Sequence, residues 1–354
     1  MHNVRSRILL ALLFILAGAA ALSTAAASPL PGAATVLHDV RPGQGVTSVA
    51  WLSDWFPPLA GTPADTKVFI LDSGKPGPVV FIAGGTHANE IAGIVAATVL
   101  VEHAIPSTGR LLVIPNLNNS ASSWTEHPGT PAWIAVPTPR GVRFFKYGAR
   151  YTNPVHQQKP DPTQYRHPAG GDAFEGSETR NLNRVYPGSP DGTLTERLAW
   201  AVMELLCREK VDIAIDLHEA GPESRLAYMI VANPKNLDMA AMAVLALELE
   251  GISMKLEPSS ETFHGLSHRE WGDATNAVSF LIETPNPAQA TDRGNAVEDP
   301  RYPLASRVAT HIASITAILE AWNETCAPAS GIRFERWPDW MEVARLGSGS
   351  FLNW

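Results

Sequence analysis

The sequence predicts an α/β sandwich on a largely parallel or mixed sheet. Three observations lead there. Six short β-branched, apolar segments are bounded by turn residues, and helical patterns separate most of them. Residues able to do chemistry bunch where three of those segments end, and open α/β sheets place functional groups at strand carboxyl ends.

Taken in order, a Pro- and Gly-containing entry segment (28–64) precedes predicted strands over 67–71 and 79–83 and a helix over 90–102. A strand over 110–115 follows, then a helix over 194–208, strands over 211–217 and 226–232, and a helix over 235–250. The last predicted strand covers 278–283 and the last helix 301–323. Thr193 and Glu196 form a capping box that fixes the start of the 194–208 helix. The stretch 118–178 is rich in Pro, Gly, His and aromatics without periodicity, and loops of that length are usually functional or disordered; it reads as the wall of a substrate cleft. These assignments give one catalytic domain over 65–326 and a tail over 327–354 too short for a second domain.

At the N-terminus, Arg5 and Arg7 precede an apolar run from Ile8 to Leu22 and the small residues Ala25–Ala27, the pattern of a secretory signal cleaved after residue 27. Export to the periplasm or medium is the expectation, with no stable membrane span after cleavage; an uncleaved anchor is the less favoured alternative. The 354 residues carry a formal charge of −8 with no basic cluster, which argues against nucleic acid as a partner. Cys207 and Cys326 are the two cysteines; they either pair after export or remain buried thiols.

The runs GGTHANE (84–90), IDLH (215–218) and LIE (281–283) supply two imidazoles, a ligating carboxylate and a spare carboxylate. Zinc hydrolases use this set: His, Glu and His hold the ion with one position open, and a separate Glu moves protons. His87 and Glu90 lie on a strand-to-helix turn that Gly84 and Gly85 permit. His218 is the third ligand, and Asp216, two residues earlier, shares its side of the strand. Glu283 closes an apolar strand where desolvation favours the neutral carboxyl, as suits a proton shuttle. On the loop 180–188, Arg180, Asn181, Asn183 and Arg184 gather two guanidinium forks and two amides, a set suited to a carboxylate. His264 and His268 fall where they either line the cleft opposite Glu283 or serve as satisfied loop histidines.

GGTHANEIAG, NLNRVYPGSPDGTLTERLA, IDLH and LIE together resemble the succinylglutamate desuccinylase and aspartoacylase family within the zinc carboxypeptidase-like group. The resemblance covers roughly 68–283. It implies a three-layer α/β/α sandwich, one zinc on His87, Glu90 and His218, proton transfer by Glu283, and a substrate carboxylate bound by Asn183 and Arg184. It also implies an outer-shell role for residue 181 behind His87, where the family has Asp; on that basis Asn181→Asp would tighten zinc. An Arg that polarises the scissile carbonyl usually precedes the run, and Arg180 and Arg166 both qualify. The aspartoacylase branch carries a C-terminal β domain, and none is expected from this sequence.

These readings converge on an exported zinc-dependent deacylase whose substrates are N-acyl amino acids or similar small-molecule or peptide amides bearing a carboxylate. A metallocarboxypeptidase acting on peptides, cell-wall peptides included, is the rival within the enzyme class. A zinc-fold binding protein with weakened turnover is the rival from another class.

Overall fold

The computed structural model describes residues 38–260, 262–289, 297–325 and 330–354. Strands β1 (Ser48–Trp51), β2 (Lys67–Asp72) and β3 (Val79–Gly84) lead into helix α1 (Ile91–His103). Then come β4 (Ile105–Thr108), β5 (Arg110–Ile114) and the hairpin β6 (Trp133–Thr138) and β7 (Gly141–Lys146). A single turn, α2 (Pro154–Gln157), and a short hairpin, β8 (Gln164–Arg166) and β9 (Ala173–Glu175), precede α3 (Leu194–Arg208). The second half runs through β10 (Ile213–Ala220), β11 (Met229–Ala232), α4 (Leu237–Leu249), β12 (Lys255–Pro258), α5 (Ser267–Ala274) and β13 (Val278–Pro285). It closes with α6 (Leu304–Thr325), β14 (Arg333–Arg336) and α7 (Trp340–Leu346).

Eight strands form one mixed sheet in the order β1-β2-β5-β3-β10-β13-β11-β12, whose central four are parallel. Alternation along β3 sorts its residues onto two faces. Val80 and Ile82 pack with α1, α4 and α6, whereas Phe81 and Ala83 pack with α3 and with Trp271 of α5. The sheet is therefore the middle layer of an α/β/α sandwich. The central strands are buried on both faces, which is why they read as continuous apolar runs.

The entry segment contributes an edge strand, since β1 pairs antiparallel with β2. The C-terminal stretch pairs β14 with β4 and lays α7 on α6. Buried Arg143 of β7 meets Glu102 of α1 at 2.6 Å, joining the 133–146 hairpin to the core. The capping box forms as the sequence predicts, with the Thr193 side chain accepting from Glu196 N–H. What the sequence reading missed is short: β1, β4, β12, β14, α2, α5, α7 and both hairpins.

Among the described residues no helix is long and apolar enough to cross a membrane. The signal-sequence assignment over 1–27 lies outside the described residues. Cys207 is exposed on α3 rather than buried, and Cys326 also lies outside them, as does any pairing between the two.

Candidate metal centre

The parallel strands end together, and their ends carry the site. β3 runs into Gly84-Gly85, where Gly85 has φ +70°, a left-handed conformation natural to glycine. The chain then makes a turn closed by Glu90 N–H to the His87 carbonyl at 3.1 Å, and Glu90 stands at the cap position of α1, so the pair sits on this turn, ahead of the helix. A Cβ on Gly93 would meet the Leu217 carbonyl oxygen at 2.7 Å, so glycine there lets α1 approach β10 closely. In β10, His218 lies opposite Glu283 of β13 in the parallel register.

His87, Glu90 and His218 are all buried, and their donor atoms lie within 4.8 Å of one another. Each imidazole turns Nδ1 toward Glu90: His87 Nδ1 is 2.8 Å from Oε1, and His218 Nδ1 is 2.9 Å from Oε2. The opposite nitrogens are tied back, His87 Nε2 to Asn181 Oδ1 and His218 Nε2 to Asp216 Oδ2, both at 2.8 Å. Thr86 Oγ1 donates to the other Asp216 oxygen at 2.8 Å. Holding Nε2–H in this way fixes the tautomer and turns the Nδ1 lone pair toward a cation, the outer-shell arrangement of metal-binding histidines. Two imidazoles and one carboxylate suit zinc.

The electrostatics differ between the two rings. Burial opposes charge on His218, but Asp216 and Glu90 outweigh it and push its pKa well above the usual imidazole value. Burial, reinforced by Arg150, holds His87 below that value. Glu283 is desolvated, and burial raises its pKa to about 8 although His218 works against the shift and Glu90 with it. Its Oε2 bonds no protein atom.

Glu283, the three candidate ligands, Asn183 and Arg184 line one cavity of about 250 Å³, within the scale of a small-molecule site. Asn183 Oδ1 accepts the Ser267 N–H at 2.7 Å, which leaves its NH₂ as the free donor. The Arg184 guanidinium rests 4.9 Å from the Phe174 ring centroid, with Nε 3.4 Å from Glu178.

Arg180 and Arg166, the candidates for polarising a carbonyl, are not brought to this cavity. Arg180 is held by Asp161 at 2.8 Å and by the Thr152 carbonyl at 2.9 Å, with its guanidinium over the Trp124 and Tyr151 rings. Arg166 is exposed and donates to the Gly171 carbonyl. Arg150 stands at the cluster instead, its Nη1 3.3 Å from His87 Nδ1 and 3.5 Å from Glu90 Oε1. Its position follows from backbone bonds of Gly148 and Ala149 with Ala88, beside His87. The only sequence signal for Arg150 was its place in the long aperiodic stretch.

A model of the succinylglutamate desuccinylase/aspartoacylase catalytic domain matches residues 167–283, the segment that carries Asn181, Asn183, Arg184, His218 and Glu283. The chain is similar to this family over that segment, about a third of its length. N-alpha-acetyl-L-2,4-diaminobutyric acid deacetylase of Halomonas elongata is 29% identical over 147 residues, 41% of this chain and 29% of that protein, so the match spans under a third of that relative. A succinylglutamate desuccinylase from Silicibacter sp. TM1040 aligns over 72% of this chain and 60% of its own at 20% identity and a TM-score of 0.43. The product-bound ectoine utilization protein EutE of Ruegeria pomeroyi aligns over the same shares at 19% identity and a TM-score of 0.44.

At the position where the family has Asp, Asn181 donates from Nδ2 to Glu178 Oε2 at 2.7 Å while its Oδ1 also accepts the Asn183 N–H at 3.0 Å. A carboxylate at 181 would face the Glu178 carboxylate, and like charges at that separation repel. The simple expectation for Asn181→Asp is thereby revised. Alone it is expected to leave zinc affinity unchanged or weaker, whereas Asn181→Asp with Glu178→Gln is expected to tighten it about 10-fold, the scale of outer-shell effects. Competition against a chelator checks both variants; equal tightening in both would remove Glu178 from the account.

Proposed function

We propose that the protein is an exported zinc-dependent amide hydrolase acting on N-acyl amino acids or similar amides that carry a carboxylate. One observation carries the reading: Glu283, a buried carboxyl with an unpartnered oxygen, opens into the same cavity as His87, Glu90, His218 and Arg184.

His87, Glu90 and His218 would hold one zinc per chain, which when bound supplies a Lewis acid and acidifies water. Asn183 and Arg184 hold the substrate carboxylate, the guanidinium offering a planar fork. Arg150, whose guanidinium stands at the ligand cluster, stabilises the charge that develops on the scissile carbonyl oxygen. Glu283 takes the proton of the attacking water and returns it to the amine nitrogen as the carbon–nitrogen bond breaks. A carboxyl with a pKa of about 8 can serve in both forms near neutrality. The catalytic domain read over 65–326 is here proposed to take in the edge strand β1 and the β14 pairing from outside those bounds, and N-terminal sequencing of exported protein tests cleavage after residue 27.

A panel of N-acyl amino acids and unacylated peptides on zinc-loaded protein tests the activity, and release of C-terminal amino acids from unacylated peptides alone would replace it with carboxypeptidase action. Within that panel, Arg184→Lys is expected to raise KM for free acids about 10- to 100-fold, the value of a charge-assisted bond. Methyl esters should change little. Equal effects on acid and ester would exclude Arg184 as the clamp.

A further inference from the structure

One buried side chain of the cavity has no place in this scheme. His268, on the first turn of α5, is 3% exposed and lines the cavity, yet neither ring nitrogen bonds a protein atom. Leaving a buried polar group unpaired opposes folding, so such a group calls for a reason. Its backbone is firmly held: the His268 carbonyl accepts Ser279 Oγ at 2.6 Å and Asn233 Nδ2 at 3.4 Å. The adjacent Ser267 N–H bonds Asn183, so His268 starts next to the carboxylate clamp. Ser259 repeats the pattern. The residue lines the same cavity and its buried hydroxyl has no protein partner, while its N–H bonds the Ala232 carbonyl, one residue before Asn233. Leu226, Val231 and Leu281 complete an apolar wall.

We propose that His268, with Ser259, forms a subsite for a primary-amide side chain on the amino acid whose carboxylate Asn183 and Arg184 hold; this rests on the amide-hydrolase reading of the cavity. A neutral imidazole offers one N–H and one lone pair, and a primary amide answers both, whereas a carboxylate answers only the N–H and an ammonium only the lone pair. Burial keeps the ring neutral, lowering its pKa to about 3. Nearby charges are already matched. Asp216 pairs with His218, Arg269 with Asp273 at 2.6 Å, and Arg225 with Glu257 at 2.8 Å, so a charged side chain finds no free counterion among these groups. A site built to bond a polar group discriminates against the isostere lacking it, because its own buried groups are then left unpaired.

The test is calorimetric binding of free amino acids to the zinc-loaded full chain, comparing asparagine with leucine and glutamine with methionine, and adding aspartate and glutamate. In the wild type the better amide should bind about 10-fold or more tightly than its apolar counterpart and than the acid. His268→Leu should bring amide and apolar partner within about twofold, and His268→Gln, which keeps a donor and an acceptor, should retain the preference. A wild-type ratio near one, the same ratio in His268→Leu, preference for the acids, or binding of none of these amino acids overturns the subsite. Discrimination without hydrolysis of the N-acyl forms leaves the subsite standing and removes the hydrolase reading. Hydrolysis without side-chain preference does the reverse.

Discussion

Glu283→Gln should retain one zinc per chain and lose turnover by about 10²- to 10⁴-fold, the usual contribution of a positioned general base. The substitution keeps shape and removes only the ability to accept a proton. Glu283 lies across the strand register from His218 and does not belong to the donor cluster, so metal binding has no reason to fall. In the wild type its buried carboxyl is held near pKa 8 at some cost to the fold. The amide carries no such burden, and the variant should be at least as stable as the wild type at pH 8. A mutant with near wild-type kcat and normal zinc would take Glu283 out of the chemistry.

The second large effect is at the ligands. His87→Ala and His218→Ala should each abolish stoichiometric zinc and activity, because two remaining donors make an incomplete site. The two variants should differ in the stability of the metal-free protein. His218 is the cationic partner of buried Asp216 and Glu90, so its removal takes the nearest positive charge from both carboxylates; breaking a buried pair costs about 3–5 kcal/mol. His87 is held neutral and should cost less. Denaturant unfolding of both apo-variants, read beside elemental analysis, tests this order, and full zinc content in either would remove that residue from the ligand set.

The parts of this arrangement that were legible in the sequence are those fixed locally. The central strands showed because burial on both faces leaves apolar β-branched runs, and Asp216 and His218 could be paired because alternate residues share a face. Other parts depend on distant backbone. Arg150 reaches the cluster through Ala88 and Ala149, far apart in sequence, and nothing in its neighbours signals that meeting. Arg180 looked like a site residue beside Asn181, but Asp161 and the Thr152 carbonyl claim its guanidinium. Helix α5 spans only eight residues with Arg, Glu and Asp on it, too short to establish a period, and with it His268 remained undecided between a loop residue and a cleft residue. The revision at Asn181 has the same origin: the charge that the amide lacks is supplied by Glu178 three residues away, and only the fold shows their side chains in contact.

Titration of zinc into metal-free protein, with N-acyl amino acid hydrolysis followed at each addition, tests the central claim most directly. The account predicts activity that is absent at the start, rises in proportion to bound metal and saturates at one zinc per chain, with Glu283→Gln taking up the same single zinc and remaining inactive. Full hydrolysis before any metal is added, or saturation of one zinc with no hydrolysis of any carboxylate-bearing amide by the wild type, would contradict it.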